Sequence, residues 1–178
     1  MLTTVLNKYA IKQIAFVVED LEQASRDHSA CFGSGPFVYM PTATFAEAKL
    51  NGEDIDLHLD ESYGQYGDLQ VEMIEIPKTG DKAIFDKPGF HHFAIWADDV
   101  DEALADFEAA GFKSVLRMVS GSGQVINFID CTEKWGHYIE LYGPQVQFMG
   151  MTQMLAQNWV GENPYISMID LQKMMQKG

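Results

Sequence analysis

Arginine is nearly missing from this chain. Arg26 and Arg117 are the only two, and Lys and Arg together number 12 against 26 Asp and Glu, for a formal net charge of −14. A nucleic-acid partner needs a basic footprint to meet its phosphates, and a polyanionic ligand needs a local cluster of Lys or Arg. The sequence shows neither, so no nucleic-acid partner is expected and the acidic surface reads as a solubility device. Cysteine is also scarce. Cys31 and Cys131 stand far apart with no motif around them, which points to free thiols and not to a disulfide framework. No apolar run reaches the roughly 18 residues that a membrane span needs, so no membrane partner is expected. Met1–Lys8 lacks a basic start followed by an apolar block, so no leader is expected and the location expected is cytoplasmic.

What the chain does have is apolar content and a repeat. At 47% hydrophobic over 178 residues, it can bury a real core. Residues Gln13–Ala24 echo His92–Ala103 position by position, with Ala15/Ala94, Asp20/Asp99 and Ala24/Ala103 identical. An internal repeat of this kind implies two copies of one unit.

Each copy opens on a strongly apolar strand, over Ile11–Val18 and Phe90–Ala97, and continues into a helix. Asp20 with Gln23 three residues on has the form of a capping box, and Asp98 or Asp99 serves the second helix. The first helix is predicted to end near Cys31, where Gly33-Ser34-Gly35-Pro36 turns the chain. Three strands follow, over about 43–50, 54–60 and 69–76, with Asn51-Gly52 as a tight hairpin and Tyr63–Gly67 as a turn. Pro77–Pro88 reads as a polar linker. The second copy repeats the order: a helix over Val100–Ala110 stopped by Gly111, then strands over about 113–119, 124–130 and 138–142, the first two joined by Ser120–Gly123. Each unit is thus βαβββ. After Pro144 the pattern changes to a helix over Phe148–Trp159, and six of the ten methionines lie at 149 or later. That tail is an adaptable apolar segment, read either as an arm on the domain or on a second subunit, or as a lid.

Strand alternation then selects a set of inward residues. If Ile14, Phe16 and Val18 pack on the first helix, Gln13 faces the other way. The same register turns His92, Ala94 and Trp96 from the second helix and sets His91 on the opposite register, at a bend or behind His92. Aligning Val71–Pro77 with Tyr138–Pro144 puts Glu72 opposite Glu140, with Tyr138 and Tyr142 on Glu140's face. Gln13, Glu72, His92 and Glu140 therefore share one kind of face among apolar neighbours. A carboxylate there is costly unless it is paired or metal-bound. The set suits one divalent ion (Zn, Fe, Mn, Co or Ni). Trp96, Tyr138 and Tyr142 would line the same cavity as a substrate wall.

The paired βαβββ units and the stretches QIAFVVEDLEQA, VEMIEIP, GFHHFAIWADDVDEAL and GHYIELYGP resemble the vicinal oxygen chelate superfamily. That superfamily includes glyoxalase I, methylmalonyl-CoA epimerase, extradiol dioxygenases and bleomycin-binding proteins; the likeness covers about residues 9–144 and is nearest the epimerase and glyoxalase-like branch. The resemblance implies an α+β fold: two modules, 9–77 and 89–144, forming one cup-shaped mixed sheet with helices outside, with 145–178 as a C-terminal helical extension. It implies metal ligands at Gln13, Glu72, His92 and Glu140, with Glu140 or Glu72 also serving as base. It implies a homodimer and a small-molecule substrate. The chemistry implied is proton transfer next to a carbonyl by an isomerase, epimerase or lyase, the metal stabilising an enolate. Val17 and Pro88 stand where glutathione-holding arginines would be sought, which sets lactoylglutathione chemistry behind, as the lack of His at position 13 does for Fe(II) dioxygenation. A non-catalytic binding protein of the same fold is the alternative from another class.

Overall fold

A computed structural model describes residues 8–175; the N-terminal stretch 1–7, expected to carry no leader, lies outside the described residues. In chain order the elements are β1 (Ile11–Val18), α1 (Leu21–Phe32), β2 (Phe37–Leu50), β3 (Glu53–Asp54), β4 (His58–Tyr66) and β5 (Leu69–Glu75), then β6 (Gly89–Trp96), α2 (Val100–Ala109), β7 (Ser114–Ser120), β8 (Val125–Asp130), α3 (Thr132–Trp135) and β9 (Tyr138–Tyr142). The tail adds α4 (Val146–Asn158), β10 (Tyr165–Ser167) and α5 (Met168–Met175). The helix starts follow their capping chemistry. Asp20 and Asp99 each accept the amide three residues on at 2.9 Å, satisfying one of the free N–H groups of the first turn.

The sheet order β2-β4-β5-β1-β6-β9-β8-β7 curls until β2 also pairs with β7, giving a barrel-like cup in a mixed α+β fold with helices outside. Antiparallel β1 and β6 form the seam between its halves. Ile14, Phe16 and Val18 pack outward with Leu21 of α1, and Phe93, Ile95, Ile139 and Leu141 pack outward with Ala103 and Phe107 of α2. The opposite faces enclose a third cluster, including Val17, Leu59, Ile74, Phe85, Leu116 and Phe128. Each fully buried Phe or Leu there contributes roughly 1.5–3 kcal/mol of transfer free energy.

The structure departs from the expected elements at four places. Strand β2 starts at Phe37, well before position 43, because the break at Pro41-Thr42 is an irregularity within the strand and not its beginning. Asp60 Oδ1 accepts from both the Thr42 amide and hydroxyl there, at 2.7 and 2.9 Å, and proline is tolerated in a strand at such a bulge. Strand β4 runs on through Tyr63-Gly64-Gln65-Tyr66, expected as a turn, and the chain reverses only at Gly67-Asp68. Gly64 is there for close approach: a Cβ would meet the Phe37 ring at 3.0 Å. Gly64→Val is therefore expected to destabilise the fold by about 1–3 kcal/mol, read as a lower urea midpoint at unchanged slope. The linker expected to be polar carries Phe85, fully buried against Phe128 at 5.5 Å between centroids. In the tail, β10 extends the sheet in parallel beside the start of β2, and Leu155, Ile166 and Leu171 close on Val38.

Candidate metal centre

Strands β5, β1, β6 and β9 lie side by side, and their register arranges two inward-facing rows. In one, Glu72 lies beside Ala15 and Ala15 beside His92; in the next, Gln70 lies beside Gln13, Gln13 beside Ala94, and Ala94 beside Glu140. Ala15 and Ala94 are fully buried and offer only a methyl group. Larger residues at those two places would fill the space over which their neighbours lean together.

Three of the four inward residues meet. His92 Nε2 stands 3.3 Å from Glu72 Oε2 and 3.4 Å from Glu140 Oε2. The three residues offer ligand atoms within 4.8 Å of one another, and all are buried. The contacts are close but poorly aimed for hydrogen bonding, so Glu72 Oε2 and His92 Nε2 are each buried without a hydrogen-bond partner. Orphaned buried polar atoms are rare and call for a reason. Converging carboxylate oxygens and an imidazole nitrogen fit a divalent cation by donor type and charge. Without an ion, burial opposes a charged His92 ring, but the negative carboxylates of Glu140 and Glu72 close beside it outweigh that and raise the ring to about 9. Burial also pushes the Glu140 carboxyl up, against the pull of His92.

The adjacent His91 departs from the expected register. Ala15 pairs with His92 and Phe16 with Phe90, leaving His91 unpaired in a β-bulge. The bulge turns its ring to the cup side, between Phe85 and Tyr138, each 4.9 Å away between centroids. There it reaches two partners: the Ile84 carbonyl from Nε2 at 3.0 Å, and His92 Nδ1 from Nδ1 at 2.8 Å. A carbonyl only accepts, so His91 Nε2 carries the hydrogen. Burial, then the neighbouring His92 charge, lower His91 to about 3, so its Nδ1 is a bare acceptor. His92 must then donate from Nδ1. In its neutral form that leaves Nε2 free, pointed at the two carboxylates. A backbone carbonyl thus sets a tautomer two rings away, which is how residues behind a metal ligand orient it.

Gln13 is 1% exposed and lines the same cavity as Glu72 and Glu140, with its Oε1 accepting from the Tyr142 hydroxyl at 3.1 Å. Of the three aromatics expected in the wall, Tyr142 lines the cavity. Trp96 and Tyr138 are not among its lining residues. The Trp96 ring lies under Lys12 Nζ at 5.5 Å, and Tyr138 is taken up by His91 and the apolar interior. Gln70 also lines the cavity; it alternates with Glu72 on β5, so period-two spacing places it on the same face. Tyr63, in the stretch with turn composition, lines it as well, and Glu61 lies two residues before Tyr63 on the same strand face. Tyr63 donates to Glu61 Oε2 at 2.8 Å. Burial, then the Glu72 charge, push the Glu61 carboxyl well up.

Residues 12–128 match the sequence model of the glyoxalase/bleomycin resistance protein/dioxygenase superfamily. No curated protein matches the chain. Among solved structures it is similar to a hypothetical protein from Bacillus halodurans C-125, at 14% identity over 77% of this chain and 95% of that one, with a TM-score of 0.55. It is also similar to methylmalonyl-CoA epimerase from Mycobacterium tuberculosis, at 18% identity over 84% and 96% of the two chains, with a TM-score of 0.53. A methylmalonyl-CoA epimerase in complex with methylmalonyl-CoA and NH4+ aligns at 18% identity over 77% and 95%, with a TM-score of 0.52. At these identities the likeness is one of fold.

Proposed function

The chain belongs to the glyoxalase/bleomycin resistance protein/dioxygenase superfamily, and from that premise we propose that it is a divalent-metal-dependent isomerase, epimerase or lyase that moves a proton at a carbon next to a carbonyl. The observation that carries this reading is the meeting of Glu72, His92 and Glu140, with two of their atoms buried and unpartnered. Gln13, in the same cavity, would be the fourth ligand. A divalent ion held there would act as a Lewis acid toward a carbonyl oxygen. The chain's own residues supply the rest. Burial raises Glu140, which suits it to accept a proton from carbon. Tyr142 holds the Gln13 amide in place, and Tyr63 with Glu61 offers a second proton-holding pair on the facing strand. The epimerase neighbours, named for a CoA substrate, support the reaction class only as relatives in fold.

The organisation that goes with this reading is a domain over 1–144 built of two βαβββ modules, 9–77 and 89–144, extended by the tail 145–178. A homodimer is the assembly we favour; the tail leaves Val160 84% exposed and Ile169 64% exposed for a partner surface. The test combines metal content with isotope exchange. Wild-type protein is expected to bind one divalent ion per chain and to exchange solvent deuterium into hydroxyacetone next to its carbonyl. Glu72→Gln/Glu140→Gln is expected to lose both. Metal retained by the double variant would remove these residues from the site, and metal binding without exchange on any carbonyl compound would favour a binding protein.

A further inference from the structure

The cavity beside the metal centre is small, roofed, and without a cation in its wall. It holds about 150 Å³, where a pocket enclosing a drug-sized ligand runs to about 300–1,000 Å³. Its roof comes from α4, which lies wholly beyond the residues that match the superfamily. Gln145, just before that helix, and Phe148 within it line the cavity, and the Phe148 ring meets Tyr63 edge-on at 4.9 Å between centroids. The helix is tied down one turn further on. Thr152, 1% exposed, accepts from Gln70 Nε2 and stands within hydrogen-bond reach of Gln65 Oε1, both at 3.1 Å, while Met149 and Leu155 are buried beneath it.

The charge of the wall is equally restrictive. Among the described residues that line the cavity, Glu72 and Glu140 are the only charged ones, and a divalent ion would cancel them. The other polar lining groups are neutral: the Gln13, Gln70, Gln124 and Gln145 amides and the Tyr63 and Tyr142 hydroxyls. An entering carboxylate or phosphate would leave water with no Lys or Arg to receive it. It would also approach a chain of net charge −14, whose field opposes anions. Amide and phenol groups match the hydroxyl and carbonyl of a neutral molecule.

We propose that this site takes a small uncharged hydroxycarbonyl compound, and that Phe148 sets the size limit. The inference rests on the metal reading above and departs from the CoA substrate of the epimerase neighbours. The test uses Mn²⁺-loaded protein and water-proton relaxation, which falls as a compound displaces water from the ion. Hydroxyacetone, neutral and small, is expected to compete at least about tenfold better than glycolate, an anion of similar size. It is also expected to beat 2-hydroxyacetophenone, neutral but larger. Phe148→Ala should raise the affinity of 2-hydroxyacetophenone about tenfold relative to that of hydroxyacetone. Glycolate binding as well as hydroxyacetone overturns the charge argument. An unchanged size preference in Phe148→Ala overturns the role of the roof. If no manganese binds, the metal reading falls by itself. The same three compounds are then followed through the side-chain amide resonances of Gln13 and Gln145, where the same order is expected and its absence overturns this inference.

Discussion

His92→Leu is expected to abolish metal binding and to destabilise the ion-free protein by about 3–5 kcal/mol near neutral pH. The side chain is fully buried between two buried carboxylates and is the positive partner of both. Leucine fills similar space, so the cost comes from leaving Glu72 and Glu140 without a counter-charge and not from a void. The loss should depend on pH in a direction set by the two groups that shift. His92 is raised from 6.5 to about 9, so its contribution is full below 6.5 and is lost as pH rises through about 9. Glu140 is raised from 4.5, so its burial carries no charge penalty while it holds its proton and a growing one as pH climbs above 4.5. Removing His92 takes away the neighbour that keeps Glu140 from rising further. The gap between wild type and variant should therefore open above pH 4.5, be widest around neutrality, and narrow as pH passes about 9. Urea unfolding in a chelator at several pH values measures it. A gap that stays constant from pH 4 to 10 would mean that His92 is a packing residue.

The inward set was legible because strand alternation is a rigid rule. Once Ile14 and Phe93 were assigned to the helix side, period two carried Gln13, Glu72, His92 and Glu140 to the other face, and the two aspartate caps marked where the helices begin. The failures lie where tertiary context sets local geometry. The bulge at His91 depends on how β6 registers against β1, which no property of His91 announces. Tyr63-Gly64-Gln65-Tyr66-Gly67 has turn composition, but the first of its glycines makes room for the Phe37 ring from a distant strand. Phe85 looked like a loop residue because its burial comes from Phe128 and His91. The roof was half legible: the tail's apolar character showed that it must cover something, while its place over the cavity depends on Thr152 meeting Gln65 and Gln70.

His91→Phe should weaken metal binding by about 10–100-fold, at a stability cost of about 1–3 kcal/mol for the Ile84 carbonyl that loses its partner, because it removes both hydrogen bonds of His91 and keeps a ring. Phenylalanine can occupy the slot between Phe85 and Tyr138, where the imidazole now packs at a tilt to both rings. What it cannot do is donate to the Ile84 carbonyl, as His91 Nε2 does at 3.0 Å, or accept the hydrogen from His92 Nδ1 that the 2.8 Å contact requires. Without that acceptor the neutral His92 ring is free to carry its hydrogen on Nε2, the nitrogen facing Glu72 and Glu140, and an ion must first reverse the tautomer. His91→Asn offers a carbonyl oxygen at a similar depth and should recover most of the affinity. Imidazole nitrogen resonances of ion-free protein above pH 9 separate this from a structural effect. Wild type and His91→Asn should show His92 hydrogen-bearing at Nδ1, and His91→Phe a shift toward Nε2. Equal affinities for zinc in all three proteins, with the same His92 tautomer, would mean that the contact between the two rings has no part in holding an ion. Because His91 is pushed down to about 3, it stays neutral and accepting across the physiological range. Its influence on the site should therefore not change between pH 5 and 9, leaving the pH dependence of metal binding to His92 and the carboxylates around it.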